Sequence, residues 1–158
     1  MSKGIFVGVH GHVVNIIPPI DINGGATVSD FFSMKGYAHA SIILTYGVTG
    51  AATTVTLEES DDNAGNSTTE IDFNVYKEET AAGDTLGDAV AVVAATGFAS
   101  SANNSIMYVI EIDASALSDG FPYLVLKITD PSAATLASAV AVLTGGRYKG
   151  SPSPTAIT

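Results

Sequence analysis

Three histidines and a run of acidic residues are the side chains of this sequence best suited to metal chemistry. His10 and His12 are two residues apart, so on a strand they would face the same side. His39 is the only other histidine, and two imidazoles without a third ligand make no metal site. Residues 61–66 are rich in oxygen donors, but Gly65 has the wrong offset for a helix-loop-helix calcium site and no Glu closes the loop. We therefore expect a solvated turn there, and no metal or other cofactor.

Catalytic patterns are equally sparse. The absence of cysteine excludes disulfides, thiolate catalysis and Cys-based zinc sites. Neither a Gly-x-Ser-x-Gly elbow nor a His-Glu-x-x-His motif occurs. Glu58 and Glu59 could supply the two carboxylates of a glycosidase, but neighbours on a strand point to opposite faces. Since the chain also has no tryptophan to stack on a sugar, we predict that it is not an enzyme.

The surface must be built largely from neutral side chains. Charged residues make up 14% of the chain, against roughly 25% in an average soluble protein. Fifteen serines and sixteen threonines supply much of the polarity. Hydroxyl groups lose less free energy on leaving water than ammonium or carboxylate groups do. This composition favours assembly with other subunits, although the same residues could simply cover the outer faces of strands.

The charge balance argues against nucleic acid and membranes as partners. The net charge is −10, and the six basic residues are scattered along the chain, whereas a nucleic-acid groove needs clustered Lys and Arg. Ten of the sixteen acidic residues lie in residues 58–88, a pattern typical of a solvated rim. No run approaches the roughly 18 apolar residues of a membrane-spanning helix.

Short β-rich segments separated by Gly, Asn, Asp and Pro predict the fold. In residues 53–60, Val55 and Leu57 point one way and Thr54 and Thr56 the other, which is the period of a strand with one wet face. Six further segments are predicted to be strands: residues 38–46, 70–77, 89–95, 106–113, 123–129 and 136–143. Residues 12–17 are predicted to be an additional edge strand. Their spacing predicts an all-β, antiparallel β-sandwich of about eight strands, jelly-roll-like, with an immunoglobulin-like order as the alternative.

The positions of the predicted strands divide the chain into three parts. Residues 1–20 are predicted to be an extended N-terminal arm, because glycines break the periodicity and Pro18-Pro19 blocks ladder pairing. Residues 21–145 form the sandwich domain. Residues 146–158 form a C-terminal tail, which is either a frayed end or an arm that reaches a neighbouring subunit. Single helical turns are predicted at residues 29–34, capped by Ser29, and at residues 114–118.

With the strands placed, the chain resembles the head decoration, or cement, proteins of tailed bacteriophages. Four stretches carry the resemblance and span most of residues 21–148: residues 21–25 with Phe32-Ser33-Met34 and Tyr37, residues 40–44 with 54–62, residues 121–128, and residues 143–148. The resemblance implies a non-enzymatic virion protein that binds the outside of an assembled capsid and stabilises it. It further implies the major capsid protein and copies of the chain itself as partners, commonly in a homotrimer, and a location on the capsid exterior after assembly in the host cytoplasm.

Two other functions stay open: a tail or other virion subunit, and a carbohydrate-binding or adhesion module. For the decoration protein, we expect the two ends of the chain to contact the capsid and neighbouring copies. The predicted contact residues are Val13, Val14, Ile16, Ile17, Arg147, Tyr148 and Ile157. If residues 1–20 are such an arm, their deletion should leave a soluble fold that no longer coats capsids.

Overall fold

Strands dominate the computed structural model, which describes residues 7–78, 85–146 and 157. A four-residue helix, α1 (Val7–His10), precedes them, and a 3₁₀ turn covers Ala114–Ala116. Within the described residues the strands, in chain order, are β1 (His12–Asp21), β2 (Thr27–Val28), β3 (Phe32–Ser33), β4 (His39–Tyr46), β5 (Thr54–Ser60), β6 (Thr68–Glu70), β7 (Phe73–Lys77), β8 (Val90–Val92), β9 (Phe98–Ala99), β10 (Ile106–Asp113), β11 (Tyr123–Ile128) and β12 (Leu136–Thr144).

These strands form two antiparallel sheets. Sheet A has the order β1-β12-β4-β10-β7-β8. Sheet B has the order β2-β11-β5-β6, with β3 also paired to β11 and β9 to β5. Buried residues of both sheets form one hydrophobic cluster between them. The predicted all-β, antiparallel sandwich is confirmed.

The core follows from the two-residue period of the strands. On β4, Ile42 and Leu44 are completely buried, while Ile43 between them points out of the sandwich. On β5, Val55 and Leu57 are completely buried, as their alternation predicts. Burial of one such side chain contributes about 1.5–3 kcal/mol relative to leaving it exposed, so the alternation itself fixes which face of each strand turns inward.

The edge strand predicted at residues 12–17 is confirmed, and the extended arm predicted over residues 1–20 is wrong for residues 12–20. They belong to β1, which pairs with β12 from His12↔Leu143 to Asp21↔Leu136. Pro18 and Pro19 lie at an irregular stretch of the pairing, where the register shifts between Ile17 and Ile20. A proline is tolerated at a sheet edge, so the Pro-Pro pair interrupts the ladder without excluding the strand. Deletion of residues 1–20 would therefore remove a strand of the sandwich.

The predicted strand at residues 70–77 is two strands in different sheets. β6 pairs with β5 in sheet B, and β7 pairs with β10 in sheet A. The chain crosses between the sheets at Ile71, whose N–H donates to the Leu57 carbonyl at 3.0 Å. Ile71, Phe73 and Val75 are all buried in the core between the two sheets.

The two predicted helical turns have different outcomes. The turn at residues 114–118 is confirmed as the 3₁₀ turn. The turn at residues 29–34 is wrong, because β2 and β3 of this region both pair with β11. Ser29 caps no helix; its hydroxyl accepts the Leu126 N–H at 2.9 Å. Tertiary strand pairing here overrides a local capping signal. The predicted strand within residues 89–95 is confirmed as β8.

Candidate interaction surface

The outer face of sheet A is apolar at its centre. Strand register places Val140 of β12 beside Ile43 of β4, and Ile43 beside Val109 of β10. Tyr76 of β7 continues the row. All four side chains point away from the core and are partly exposed. An antiparallel sheet with one face in water usually carries polar residues there, so this row is unusual for a surface that meets only solvent.

We call this surface the outer A face and define it by the outward side chains of β1, β12, β4, β10 and β7. Its apolar members are Val13, Ile43, Tyr76, Met107, Val109, Leu136, Val140 and Val142. The remaining neutral members are hydroxyl and amide side chains, namely Asn15, Ser41, Thr45, Asn74, Ser138 and Thr144. Among the described residues of these strands, the charged outward side chains lie towards the two ends: His39, Glu111 and Asp113 at one, and Asp21 at the other.

His39 forms a charged cluster at its end of the outer A face. Its Nε2 lies 2.5 Å from Glu111 Oε2, and its Nδ1 lies 2.7 Å from Asp113 Oδ1. The Ser41 hydroxyl donates to the same Glu111 oxygen at 2.6 Å. The register of β4 with β10, which sets Asp113 opposite His39 and Glu111 opposite Ser41, brings these groups together.

Both ring nitrogens of His39 are therefore engaged. Partial burial, the largest single influence, lowers the pKa of His39, but the hydrogen bonds to Asp113 and Glu111 and the two carboxylate charges together raise it above the ordinary value. A ring with a carboxylate on each side is best satisfied as an imidazolium, which donates from both nitrogens. Such a ring has no lone pair left for a metal ion or for a substrate proton, so the cluster is suited to holding β4 and β10 together.

An open cleft of about 400 Å³ adjoins this cluster. Asp72, Asn74, Ala91 and Val93 contribute to its lining together with the His39 cluster. Asp72 accepts the Ala94 N–H at 2.7 Å and so supports the turn that follows β8. Within the described part of the chain, no group of three or more His, Asp or Glu side chains is arranged to hold a metal ion.

The outer face of sheet B is built differently. Lys127 Nζ of β11 lies 2.6 Å from Glu58 Oε2 of β5. The two groups form an ion pair, but their geometry is not that of a good hydrogen bond. The Glu58 side chain is only 8% exposed and that of Lys127 36%. Glu70 of β6 is the strand partner of Glu58. Threonines 54, 56, 96 and 129 line a cleft of about 330 Å³ around these groups. Charge and hydroxyls, not apolar side chains, dominate this face.

Glu58 and Glu59 do point to opposite faces of β5, as predicted. Glu59 faces inward, where its carboxylate accepts the Ser118 N–H at 2.7 Å. Both residues are buried, with 6% and 2% of their surfaces exposed. The interpretation of residues 58–88 as a solvated acidic rim is therefore wrong for these two. Glu59 therefore contacts a backbone amide inside the sandwich and Glu58 a lysine outside it, so the two carboxylates do not share one site.

The predicted contact residues of the N-terminal segment divide between the two sides of β1. Val13 is 51% exposed and belongs to the outer A face. Val14, Ile16 and Ile17 are almost completely buried in the core of their own sandwich, so their prediction as contact residues is wrong. Their apolar character reflects strand packing. Ile157 is 46% exposed. Arg147 and Tyr148 lie outside the described residues.

The oxygen-rich loop at residues 61–66 uses its central carboxylate on its own backbone. Asp62 Oδ1 accepts the N–H groups of Ala64 and Asn66 at 3.0 and 3.2 Å. The Asn66 side chain donates to Asp62 Oδ2 at 2.6 Å, and this bond is the main reason that the pKa of Asp62 lies below its usual value. This geometry is that of a turn stabilised by an Asp side chain.

The alternating sequence of β4 hinted that its outer face is apolar, through Ile43. The His39 cluster had no comparable signal, since Glu111 and Asp113 lie more than 70 residues away along the chain and only the β4–β10 register unites them.

Among the described residues, no helix combines the length and apolarity needed to cross a bilayer. Comparisons of the chain with protein-family models, with curated proteins and with solved structures found no match.

Proposed function

We propose that the protein is a non-enzymatic virion structural protein that binds the outer surface of an assembled bacteriophage capsid and stabilises it. The observation that carries the proposal is the outer A face, whose centre is uncharged and partly apolar on a chain whose net charge is −10. Apolar area exposed on a sheet face is a mark of interaction sites. The charged side chains of His39 and Lys127 are paired with carboxylates of the same protomer.

The strand order supports the predicted jelly-roll arrangement over the immunoglobulin-like one. Four strands of sheet A, β1-β12-β4-β10, face four of sheet B, β2-β11-β5-β6. The first strand pairs with the last, and the second with the next to last, as two nested Greek keys require. Jelly rolls are frequent in viral capsid and lectin domains, so the likeness adds to the proposal by analogy of fold.

The proposed mechanism is stabilisation by mass action. A subunit that binds the expanded capsid lattice, and not its dissociated parts, shifts the equilibrium towards the intact shell. An oligomer of the chain can bridge several capsid subunits at once, which raises the overall affinity through effective concentration. Of the predicted contact residues, Val13 and Ile157 are exposed and available for such contacts.

Co-sedimentation with empty, expanded capsids of the bacteriophage that encodes the chain tests the proposal. We expect the protein to pellet with these capsids at a saturating stoichiometry and to raise the temperature at which they open. Unexpanded procapsids are the control and should bind less. Failure to pellet with either kind of particle would reject capsid decoration. Assembly of the pure protein into rings or tubes would instead support a tail subunit, and glycan binding by a monomer an adhesion module.

A truncation sharpens this test. A chain that ends at Gly146 keeps all of β12 but lacks the predicted contact residues Arg147, Tyr148 and Ile157. We expect at least tenfold weaker capsid binding with an unchanged melting temperature. The matched control is Val28→Lys on sheet B, which alters the surface without touching the chain end. Equal capsid binding by the truncated and full-length chains would exclude the C-terminal residues as contacts.

A further inference from the structure

We infer that the outer A face is the contact between copies of this chain, so that the protein self-associates before it meets any other partner. The inference rests on the proposed function but assigns this face to a second copy of the chain, which leaves the chain end with the exposed Ile157 to contact the capsid. It concerns β12, β4 and β10, whose outward residues Val140, Ile43 and Val109 form the apolar centre of the face.

Charge restricts where two copies can meet. Each copy carries a net charge of −10, so most surfaces repel each other on approach. The centre of the outer A face carries no charged side chain, and its hydroxyls are readily desolvated. The nearest charges, in the His39 cluster, are already paired within the protomer at 2.5 and 2.7 Å. Two carboxylates share the one imidazolium of His39, so this end of the face keeps a net negative charge, and contact between copies is favoured through the uncharged, apolar centre.

The size of the face is close to that of a stable interface. Five strands at a spacing of about 4.8 Å, each about eight residues long at 3.4 Å per residue, give a projected area of roughly 500–600 Å². Corrugation by side chains raises the accessible area above this projection. A standard interface uses about 800 Å² on each partner. Apolar residues lie at the centre and charged ones at the ends, which is the usual distribution in an interface.

The edges of sheet A are poorly suited to the same task. On β1, Pro18 and Pro19 have no N–H to offer a partner strand, and the pairing register is already irregular there. The Ile16 carbonyl of this edge accepts the Asp30 N–H at 2.9 Å within the protomer. The opposite edge strand, β8, has only three residues. Association by strand addition is therefore disfavoured, whereas the face is open.

Sedimentation velocity of the purified full-length chain tests the inference. Concentrations of about 1 to 100 µM cover dissociation constants from weak to stable complexes. The wild-type chain should sediment as an oligomer. Val140→Lys, at the centre of the face, should weaken association at least tenfold, because a charge would then lie in the contact. Val13→Lys, at the rim, should weaken it less. The control is Val28→Lys on sheet B, since Val28 and Val13 are 50% and 51% exposed and the change in charge is the same.

The outcomes separate this inference from the proposed function. A monomeric wild-type chain, or equal association of Val140→Lys and Val28→Lys, overturns the inference. If such a monomer still binds capsids and Val140→Lys abolishes that binding, the outer A face contacts the capsid and only the self-association is wrong. Association that depends on Val140 without any capsid binding rejects the decoration function and keeps the inference. Should Val140→Lys fail to fold by circular dichroism, Val13→Lys decides, because its side chain is half exposed and does not support the core.

Discussion

The outer faces of the two sheets differ in how their own chain treats them. On sheet B, the outward residue Val125 is completely buried and Glu58 is paired with Lys127, so the protomer itself covers or neutralises this face. On sheet A, the outward residues Val109 and Val140 remain partly exposed, with no charge between them. The sheet B face is covered or neutralised within the monomer, whereas the sheet A face stays partly exposed and apolar at its centre.

The largest effect is expected from breaking the ion pair on sheet B. Lys127→Met leaves the carboxylate of Glu58 without its partner although its side chain is only 8% exposed. Loss of one member of a fully buried pair costs about 3–5 kcal/mol, and the partial exposure of Lys127 reduces this to about 2 kcal/mol. Urea unfolding measures the change. Lys35→Met, at an exposed position, is the control and should change stability by less than about 0.5 kcal/mol.

A second substitution checks the cause of that loss. In Glu58→Gln/Lys127→Met the carboxylate is gone as well, so part of the lost stability should return. If the double variant is as unstable as the two single changes added together, the pair does not couple and the description of sheet B as internally neutralised is wrong.

The next effect compares one outward valine from each sheet. Val125→Ala removes two methyl groups from a completely buried site and should lower the free energy of unfolding by about 2 kcal/mol. Val109→Ala removes the same atoms from a partly exposed site and should lower it by less than about 1 kcal/mol in the monomer. Chemical unfolding at a concentration that keeps both variants monomeric gives the comparison. Equal losses would mean that the two faces are equally covered by their own chain.

The smallest effect is the pH dependence of the His39 cluster. Because the pKa of His39 is raised in the folded protein, its contribution to stability is fully present below the ordinary pKa and is lost as the pH rises through the folded pKa. His39→Gln should therefore lower stability at pH 6 by about 0.5–1 kcal/mol, the scale of partly exposed ion pairs, and by less at pH 9. Unfolding of both proteins at the two pH values measures this.

A His39→Gln effect that grows towards high pH would contradict the imidazolium assignment. Ser41→Ala is a useful comparison, because Ser41 binds Glu111 without titrating and should give a loss that does not follow the pKa of His39. The pair of variants thus separates the charge of the ring from its packing at the end of the outer A face.

The sequence predicted core residues correctly where the alternation within a single strand was enough to identify them. Alternation in β5 correctly predicted that Val55 and Leu57 share one face, and both are core residues. The pattern misled where a segment could satisfy more than one arrangement. The apolar character of Val14, Ile16 and Ile17 fits both an arm that contacts a neighbouring subunit and an edge strand. Their burial and the pairing of β1 with β12 show that they form the edge strand. Proline and glycine signals mark interruptions of pairing, but they do not say whether the chain pairs again beyond them.

The sequence alone determined that this chain folds as layered antiparallel sheets with little charge on its surface, because the strand period and the composition are local properties. Only the tertiary structure decided which strands are neighbours. It split residues 70–77 between two sheets and brought His39 to Glu111 and Asp113. It also assembled the apolar row of the outer A face from strands that are far apart in the chain. The physical reason is that register is set jointly by the packing of many distant side chains, and no single segment contains that information.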